Sequence, residues 1–406
     1  YAGHDKERGS DRMINEEYIA EARNVVKIYG KNKAEAAKMM SEGFEKDEVY
    51  RKTGAAVALW DVSFKVRRKE IFVIIGLSGS GKSTIIRCFN QLLKPTSGTI
   101  LFEGQNVEKL KGSELLNLRR DKVSMVFQNF GLLTHRTVLD NVAYGLEVRG
   151  IPKKERLEKA EEFIRMVGLE GWGDKPISSL SGGMKQRVGI ARALVNSPDM
   201  LLMDEPFSAL DPLVRREMQF ELLSIQRKLE KTIIFITHDI NEAFKLGDRV
   251  AIMHNGKIVQ SGTPEEMSTN PADDYVRDFI EGADMSMVLK VRHVMFPPQC
   301  IVRENVSPAS AVMEMRENQV SSAYAVGDDM KFMGVITLDD AIRARQEKLP
   351  LFSVLTKNIP VTGEEMLIKD IIQKAAEARF PIAVVGERGK LKGIVSRASV
   401  LSSLAR

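Results

Sequence analysis

Apolar runs separated by polar or glycine-rich segments dominate the first 260 or so residues of the chain. The runs "EIFVII" (residues 70–75), "MLLMDEP" (200–206) and "TIIFIT" (232–237) are rich in apolar residues, many of them β-branched or aromatic, and predict buried strands. The run "KSTIIRCFNQLL" (82–93) instead repeats its apolar residues at helical spacing. The pattern therefore predicts an α/β protein in which at least one buried strand leads directly into a helix.

The chain after Gly282 has a different pattern, with short apolar runs that repeat. The segment "YAVGDDMKFMGVIT" (324–337) aligns with "AVVGERGKLKGIVS" (383–396), and each copy predicts strand, turn, strand and helix. A helical segment precedes each copy. We therefore predict two β-α-β-β-α repeats, with domain bounds of 17–282, 283–345 and 346–406 and a flexible tail or expression remnant over residues 1–16.

Composition narrows the class of protein. A chain of 406 residues is long enough for two or three domains, and its net charge of +5 comes without a long basic run. Nucleic acid is therefore not indicated as a partner. Since no apolar stretch reaches the roughly 18–20 residues that cross a bilayer, any membrane role is expected to come through a partner.

The glycine-rich segment "GLSGSGKST" (76–84) lies between the first predicted strand and its helix. It fits the pattern G-x-x-x-x-G-K-[ST], in which backbone N–H groups and a helix N-terminus bind phosphates, the lysine reaches the outer phosphates, and the hydroxyl after it holds Mg²⁺. We expect a nucleotide and Mg²⁺ here. The candidate residues are Gly76, Ser78, Gly79, Ser80, Gly81, Lys82, Ser83 and Thr84.

Two further segments point to the same chemistry. A predicted buried strand ends in Asp204 and Glu205, which suit a metal ion and the polarisation of an attacking water. The segment "LSGGMKQR" (180–187) precedes a helix that Ser181 can cap, with glycines that expose backbone N–H groups. A single nucleotide needs one cradle, so this second anion-binding helix start is expected to serve a nucleotide held by another copy.

These motifs together resemble the ATP-binding cassette (ABC) family over about residues 17–262. "LSGGM" matches that family's signature, "SALD" its D-loop, "FQN" its Q-loop and "ITHD" its switch histidine. The resemblance implies a P-loop NTPase with a RecA-like core, an antiparallel β part and a helical subdomain. It also implies roles for individual residues: Tyr29 on adenine, Ser83, Gln128 and Asp204 with Mg²⁺, Glu205 as general base, His238 on the γ-phosphate, and Ser181, Gly182, Gly183, Met184, Gln186 and Asp211 across a homodimer.

Within that family, the sequence resembles the separate ATPase subunits of importers. It has one phosphate loop, no predicted membrane span and no coiled-coil insertion. Residues 126–150 and 204–218 resemble importer ATPases, and an insertion between Tyr29 and Gly76 resembles the glycine betaine/proline group. The resemblance implies membrane permease subunits docking near the Q-loop, an extracellular solute-binding protein reached indirectly, and a position on the cytoplasmic face of the membrane. Another small solute such as choline or an amino acid stays open. Two other classes are disfavoured: Glu205 and His238 argue against a regulatory module without turnover, and the sequence lacks the features expected of a soluble ABC factor of translation or repair.

The C-terminal repeat resembles a tandem pair of cystathionine-β-synthase (CBS) domains. In that family a hydroxyl residue and an acid three positions later bind adenosyl ligands, which here implies Thr337 with Asp340 and, less typically, Ser396 with Ser399. The resemblance implies a sensor of cyclic di-AMP or of ionic strength. A structural dimerisation module is the alternative.

Overall fold

The structure, a computed structural model, describes residues 17–404, so the predicted N-terminal tail lies outside the described residues. The chain divides into two compact units after Ile280. The predicted border lies nearby, after residue 282, and the exact domain bounds stay predictions. Within residues 17–404, no helix is long and apolar enough to cross a membrane.

Two sheets form the first unit. Its strands are β1 (Tyr18–Tyr29), β2 (Ala56–Arg67), β3 (Ile71–Ile75), β4 (Ser97–Phe102), β5 (Gln105–Asn106), β6 (Val123–Val126), β7 (Met200–Asp204), β8 (Thr232–Thr237), β9 (Arg249–His254) and β10 (Lys257–Gly262). A six-stranded sheet has the order β10-β9-β3-β8-β7-β6, and a four-stranded sheet has the order β2-β1-β4-β5.

The larger sheet contains the three predicted strands. Neighbouring strands from β9 to β6 run parallel, whereas β10 pairs antiparallel with β9. Every residue of β3, β7 and β8 is buried, which explains why these segments read as continuous apolar runs rather than as alternating ones. Because β8 lies between β3 and β7, the residues that follow these three strands meet at one edge of the sheet.

The smaller sheet is antiparallel throughout, with β1 between β2 and β4. Buried residues of both sheets and of the helix after β3 share one apolar cluster, which includes Phe64, Phe72 and Phe89. The Phe64 and Phe72 rings stack with centroids 5.1 Å apart. Burial of aromatic and aliphatic surface thus holds the two sheets around that helix.

Helices connect and cover these strands. They are α1 (Lys33–Ser41), α2 (Lys46–Thr53), α3 (Lys82–Phe89), α4 (Ser113–Asn117), α5 (Val138–Val148), α6 (Lys153–Met166), α7 (Gly182–Leu194), α8 (Pro212–Leu229), α9 (Ile240–Leu246), α10 (Pro264–Thr269) and α11 (Asp274–Ile280). Helices α5, α6 and α7 pack against one another and form the helical part that the sequence resemblance implied.

The second unit contains two small sheets. Its elements are β11 (Ile301–Arg303), α12 (Pro308–Glu317), β12 (Ser322–Val326), β13 (Phe332–Thr337), α13 (Leu338–Gln346), β14 (Val361–Thr362), α14 (Ile368–Glu377), β15 (Ile382–Val385), β16 (Leu391–Val395) and α15 (Arg397–Leu404). The sheet orders are β11-β12-β13 and β14-β15-β16. The predicted β-α-β-β-α repeat is therefore confirmed. A shared apolar cluster that includes Tyr324, Val335, Ala383 and Ile394 joins the two copies into one unit.

Candidate functional site

The glycine-rich segment forms the turn between β3 and α3, as the sequence predicts. Gly79 and Gly81 adopt φ values of +78° and +104°, which are strained for any residue with a Cβ. A Cβ on Gly76 would overlap the Met253 carbonyl, and one on Gly81 would lie only 2.7 Å from the Ala58 carbonyl oxygen. These glycines therefore let the turn lie directly on β9 and β2, while Ser78 and Gly79 are exposed.

Lys82 begins α3 and is only 4% exposed. Its Nζ donates to the Gly76 carbonyl at 2.8 Å and to the Leu77 carbonyl at 3.1 Å. Burial lowers the pKa of Lys82, and the carboxylates of Glu205 and Asp204 oppose that shift. Its nearest acid is Glu205, with Oε1 4.0 Å from Nζ. The ammonium is thus enclosed by the turn and faces the acidic strand end.

Ser83 and Asp204 meet at the centre of the site. Ser83 Oγ donates to Asp204 Oδ1 at 2.7 Å, and Arg87 Nη2 contacts Asp204 Oδ2 at 3.0 Å. A hydroxyl and a carboxylate are hard oxygen ligands of the kind that Mg²⁺ prefers. The two groups therefore fit a Mg²⁺ ion beside the phosphate-binding turn.

Glu205 lies next to Asp204 in the sequence, and the side chains of Gln128 and His238 both approach its carboxylate. The Gln128 amide nitrogen lies 3.5 Å from Glu205 Oε2, and His238 Nδ1 lies 3.2 Å from the same oxygen. Glu205 itself has a positive φ of +46°, and its N–H donates to the Ile236 carbonyl of β8. The structure thus brings Gln128, Asp204, Glu205 and His238 together at the strand edge next to Lys82.

Other predicted residues of the nucleotide site line its edge. Ser80 Oγ is buried, and within the described residues no hydrogen-bond partner is found for it. Thr84 is in the first turn of α3, where its N–H donates to the Gly81 carbonyl. Tyr29 ends β1 and is 39% exposed as a residue, with Lys27 Nζ 5.1 Å from its ring centroid. An exposed ring and a buried, unsatisfied hydroxyl both suit a site that receives a ligand.

The signature residues form a separate group at the starts of α7 and α8. Ser181 accepts a hydrogen bond from the Met184 N–H at 3.3 Å, so the predicted helix cap is confirmed. A Cβ added to Gly182 would lie 3.6 Å from the Leu210 side chain, and a Cβ added to Gly183 would overlap Val214 of α8. Asp211 caps α8 by accepting from the Val214 N–H. The signature turn therefore packs on the D-loop and its helix.

Gln186 lies in α7 and is fully buried. Neither polar atom of its side chain has a hydrogen-bond partner within the described part of the chain. Such a group is costly to bury unless something satisfies it.

Sequence reasoning missed two residues at the catalytic edge. Arg87 follows Ser83 by one helical turn, so the i, i+4 spacing on α3 could have placed both near Asp204. Glu242 shares a small cavity with Glu205 and His238, and its Oε1 accepts from Gln219 at 2.9 Å. Burial raises the pKa of Glu242. No local sequence pattern singles out Glu242, because its burial depends on the packing of α8 against α9.

In the second unit, the predicted pairs are brought together at helix starts. Thr337 Oγ1 contacts Asp340 Oδ2 at 2.6 Å and accepts from the Asp340 N–H, while Arg343 holds the other carboxylate oxygen at 2.9 Å. In the second copy, the Ser399 N–H donates to Ser396 Oγ in the same way, but the other bond differs, because the Ser396 N–H donates to Ser399 Oγ at the start of α15. These contacts cap the helices, and the ligand-binding roles of the four residues stay predictions.

A phosphate-binding turn, an acidic strand end and a capped signature helix on this two-sheet fold define an ATP-binding cassette ATPase. The family model described as "ABC transporter" matches residues 59–208, and the one described as "CBS domain" matches residues 291–347 and 351–406. The chain belongs to the ABC transporter family, among the importer ATPases of the glycine betaine/proline type that have C-terminal CBS domains. It is thus an ATP-binding, ATP-hydrolysing subunit of an importer.

Curated relatives match over nearly the whole chain. The glycine betaine/carnitine transport ATP-binding protein GbuA of Listeria monocytogenes is 46% identical, over 94% of this chain and 96% of its own length. The glycine betaine transport ATP-binding protein OpuAA of Bacillus subtilis is 46% identical over 94% and 91%. The glycine betaine/proline betaine protein ProV of Escherichia coli is 41% identical over 95% and 97%.

Two solved structures match the first part of the fold. The dimeric cassette MJ0796 bound to ADP and Pi has a TM-score of 0.51 and 32% identity, over 60% of this chain and 98% of its own. CbiO1 of Clostridium perfringens, part of the ABC transporter complex cbiONQ, has a TM-score of 0.53 and 29% identity, over 65% and 95%. Both likenesses support the cassette architecture described above.

Proposed function

We propose that this chain powers the uptake of glycine betaine-type osmoprotectants and that its CBS unit controls the rate. The proposal rests first on the grouping of Ser83, Asp204, Glu205 and His238 beside the phosphate-binding turn, which is an arrangement for hydrolysing a nucleotide. The choice of solute rests on the relatives, whose names include glycine betaine, carnitine and proline betaine. Choline and trimethylamine N-oxide transport proteins also match, so choline or another small solute is the second candidate.

In the proposed reaction, backbone N–H groups of residues 79–81 and the Lys82 ammonium bind the β- and γ-phosphates. Ser83 and Asp204 would hold Mg²⁺, which neutralises charge on the phosphates when bound, with Gln128 beside it. Glu205 takes a proton from the attacking water, and His238 orients that water and the γ-phosphate. Positioning and charge stabilisation supply most of the rate enhancement in phosphoryl transfer, and these side chains provide both.

Two copies are proposed to bind two ATP molecules between them. Each site would be completed by the signature residues Ser181, Gly182, Gly183 and Met184 and by Asp211 of the other copy. Gln186, which is fully buried in α7, would support the signature turn from within its own copy. Support comes from the exposed start of α7, whose N–H groups and helix dipole suit a γ-phosphate, and from the dimeric form of the related cassette MJ0796. Tyr29, with its half-exposed ring, is proposed to stack on adenine.

The proposed partners are permease subunits that dock near Gln128, with an extracellular solute-binding protein reached through them. The chain would then lie on the cytoplasmic face of the membrane. The direct test is to purify the tagged chain with its permease from detergent-solubilised membranes and reconstitute the complex in liposomes. We expect ATP-dependent uptake of glycine betaine, and faster uptake of choline or proline instead would overturn the choice of solute.

The proposed ligand of the CBS unit is cyclic di-AMP, with ionic strength as the alternative signal and plain dimerisation as the alternative role. The test is calorimetric titration of the full chain carrying Lys82→Ala, which keeps adenine nucleotides from binding tightly at the cassette. Saturable binding of cyclic di-AMP but not of AMP, lost in Thr337→Val with Asp340→Asn, would support the sensor role. If cyclic di-AMP does not bind, the CBS unit would instead sense ionic strength or serve dimerisation.

A further inference from the structure

Helices α1 and α2 form a hairpin that is inserted between β1 and β2. The hairpin buries Ala36, Met39, Met40 and Val49 against Ile28 of β1 and Val57 of β2 in an apolar cluster of its own. Asn32 Nδ2 donates to the Thr53 carbonyl at 2.9 Å and ties the start of the hairpin to its end. The hairpin is therefore a packed element of the cassette and not a loose surface loop.

Lys46, the first residue of α2, extends from this hairpin under the phosphate-binding turn. Its Nζ donates to the Ala58 carbonyl of β2 at 3.4 Å. A Cβ on Gly256 would overlap both Lys46 Nζ and the Ala58 carbonyl, so the ammonium is pressed against the β9–β10 turn. Burial, reinforced by the like charge of Lys257, lowers the pKa of Lys46 to about 8. Lys46 is half-buried, so its ammonium gives up part of its hydration to lie beside the Ala58 carbonyl and Gly256.

The groups that Lys46 contacts are the ones that support the phosphate-binding turn. The Gly256 N–H donates to the Ser80 carbonyl at 3.1 Å, and the Gly256 carbonyl accepts from the Trp60 N–H at 2.8 Å. The Ala58 carbonyl lies against Gly81, which has no room for a side chain there. Lys46 thus contacts Ala58 and Gly256, and these two residues in turn contact the backbone of Gly81 and Ser80 in the turn.

We propose that Lys46 is a positioning residue for ATP binding, through which the α1–α2 hairpin holds the phosphate-binding turn in its binding geometry. The inference rests on the proposed phosphate-binding role of that turn. A turn that is held in advance loses less entropy when phosphate binds, so the hairpin raises affinity for nucleotide rather than the rate of the chemical step. The insertion that follows the strand ending in Tyr29 would thus contribute to ATP binding.

The test compares KM for ATP and kcat of the full chain with Lys46→Met, which keeps the aliphatic stem and removes the donor. We expect KM to rise about fivefold, the effect of losing one net hydrogen bond, with kcat within about twofold of the unaltered chain. Hydrogen exchange at the Ser80 and Gly81 amides should become faster. Lys38→Met is the matched control, since Lys38 lies on the same hairpin with its side chain 77% exposed, and it should change neither value.

Lys82→Ala is measured alongside to separate the two claims. If Lys82→Ala leaves nucleotide affinity unchanged, the turn does not bind the phosphates as proposed, and the role of Lys46 is then contradicted as well. If Lys82→Ala weakens binding while Lys46→Met keeps both KM and the amide exchange of the unaltered chain, only the role of Lys46 is overturned. Should Lys46→Met not fold, Lys46→Gln is measured in the same way, and the same unchanged KM would contradict the proposal.

Discussion

His238 Nδ1 lies 3.2 Å from Glu205 Oε2, and this contact joins the ends of β8 and β7. The two strands are parallel neighbours, so the residues that follow them are brought side by side by the register of the sheet. Glu205 also faces Lys82, whose Nζ is 4.0 Å from its other oxygen. The carboxylate is thus held between a histidine and an ammonium at the mouth of the phosphate-binding turn, where a water that attacks phosphate would need a base.

His238→Ala is expected to lower kcat for ATP hydrolysis by about 10²-fold, with ATP affinity changed little. The reason is that a side chain that orients the water and the γ-phosphate acts mainly in the transition state. Steady-state hydrolysis and equilibrium nucleotide binding measure the two effects separately. His135→Ala serves as the control because His135 is exposed on a loop outside this site; an equal loss in both variants would contradict the role of His238.

Arg87→Met is expected to lower the free energy of unfolding by about 1–3 kcal/mol, because it leaves the Asp204 carboxylate without its cation. Asp204 is almost fully buried, and after the change Ser83 is its one remaining side-chain partner among the contacts described above. Denaturant unfolding measures the effect. Lys154→Met removes a cation that is 90% exposed and 4.0 Å from Glu158, and it should stay within about 0.5 kcal/mol. A comparable loss there would refute the explanation.

The lowered pKa of Lys46 predicts that the folded chain becomes more stable as the pH rises into the alkaline range. That pKa is about 8 in the folded chain against the ordinary value of 10.5 for a lysine, so between these values the unfolded chain binds more protons. The free energy of unfolding should therefore rise, relative to Lys46→Met, as pH increases from about 8 to 10.5, and the difference should be flat below pH 7. Parallel denaturant curves at several pH values measure it. A constant difference over the whole range would show that burial of Lys46 is not costly.

Gly98→Ala tests the tight contact between β4 and β1. Gly98 has a φ of +88°, and a Cβ there would overlap the Asn24 backbone. Gly43 has a similar φ of +92° but no atom within 4 Å of the added Cβ. Gly43→Ala therefore reports backbone strain alone, and Gly98→Ala should cost about 1–3 kcal/mol more. Equal losses in thermal or denaturant unfolding would mean that the sheet adjusts to the added methyl group.

The strands of the larger sheet and the repeat of the second unit could be predicted from the sequence because their causes are local. Continuous apolar runs such as residues 71–75 mark strands buried on both faces, and the aligned segments of the second unit carry the same pattern twice. The phosphate-binding turn was equally predictable, since its glycines, lysine and hydroxyl all lie within nine residues of the chain.

Contacts between distant segments could not be predicted in this way. The sequence indicated an insertion between Tyr29 and Gly76, but the approach of Lys46 to Ala58 and Gly256 depends on how the hairpin packs against β1 and β2. The burial of Glu242 likewise depends on the packing of α8 and α9. In both cases, segments that are distant in the sequence pack around the side chain and remove water from it. A local sequence pattern does not encode that packing.

The most direct test of the account is sedimentation velocity of Glu205→Gln with and without MgATP, combined with its steady-state hydrolysis rate. We expect the variant to bind ATP, to sediment as a dimer only when nucleotide is present, and to hydrolyse ATP about 10²-fold or more slowly than the unaltered chain. Retained turnover would show that Glu205 is not the general base. A variant that binds ATP but stays monomeric would contradict the shared sites that the signature residues are proposed to complete.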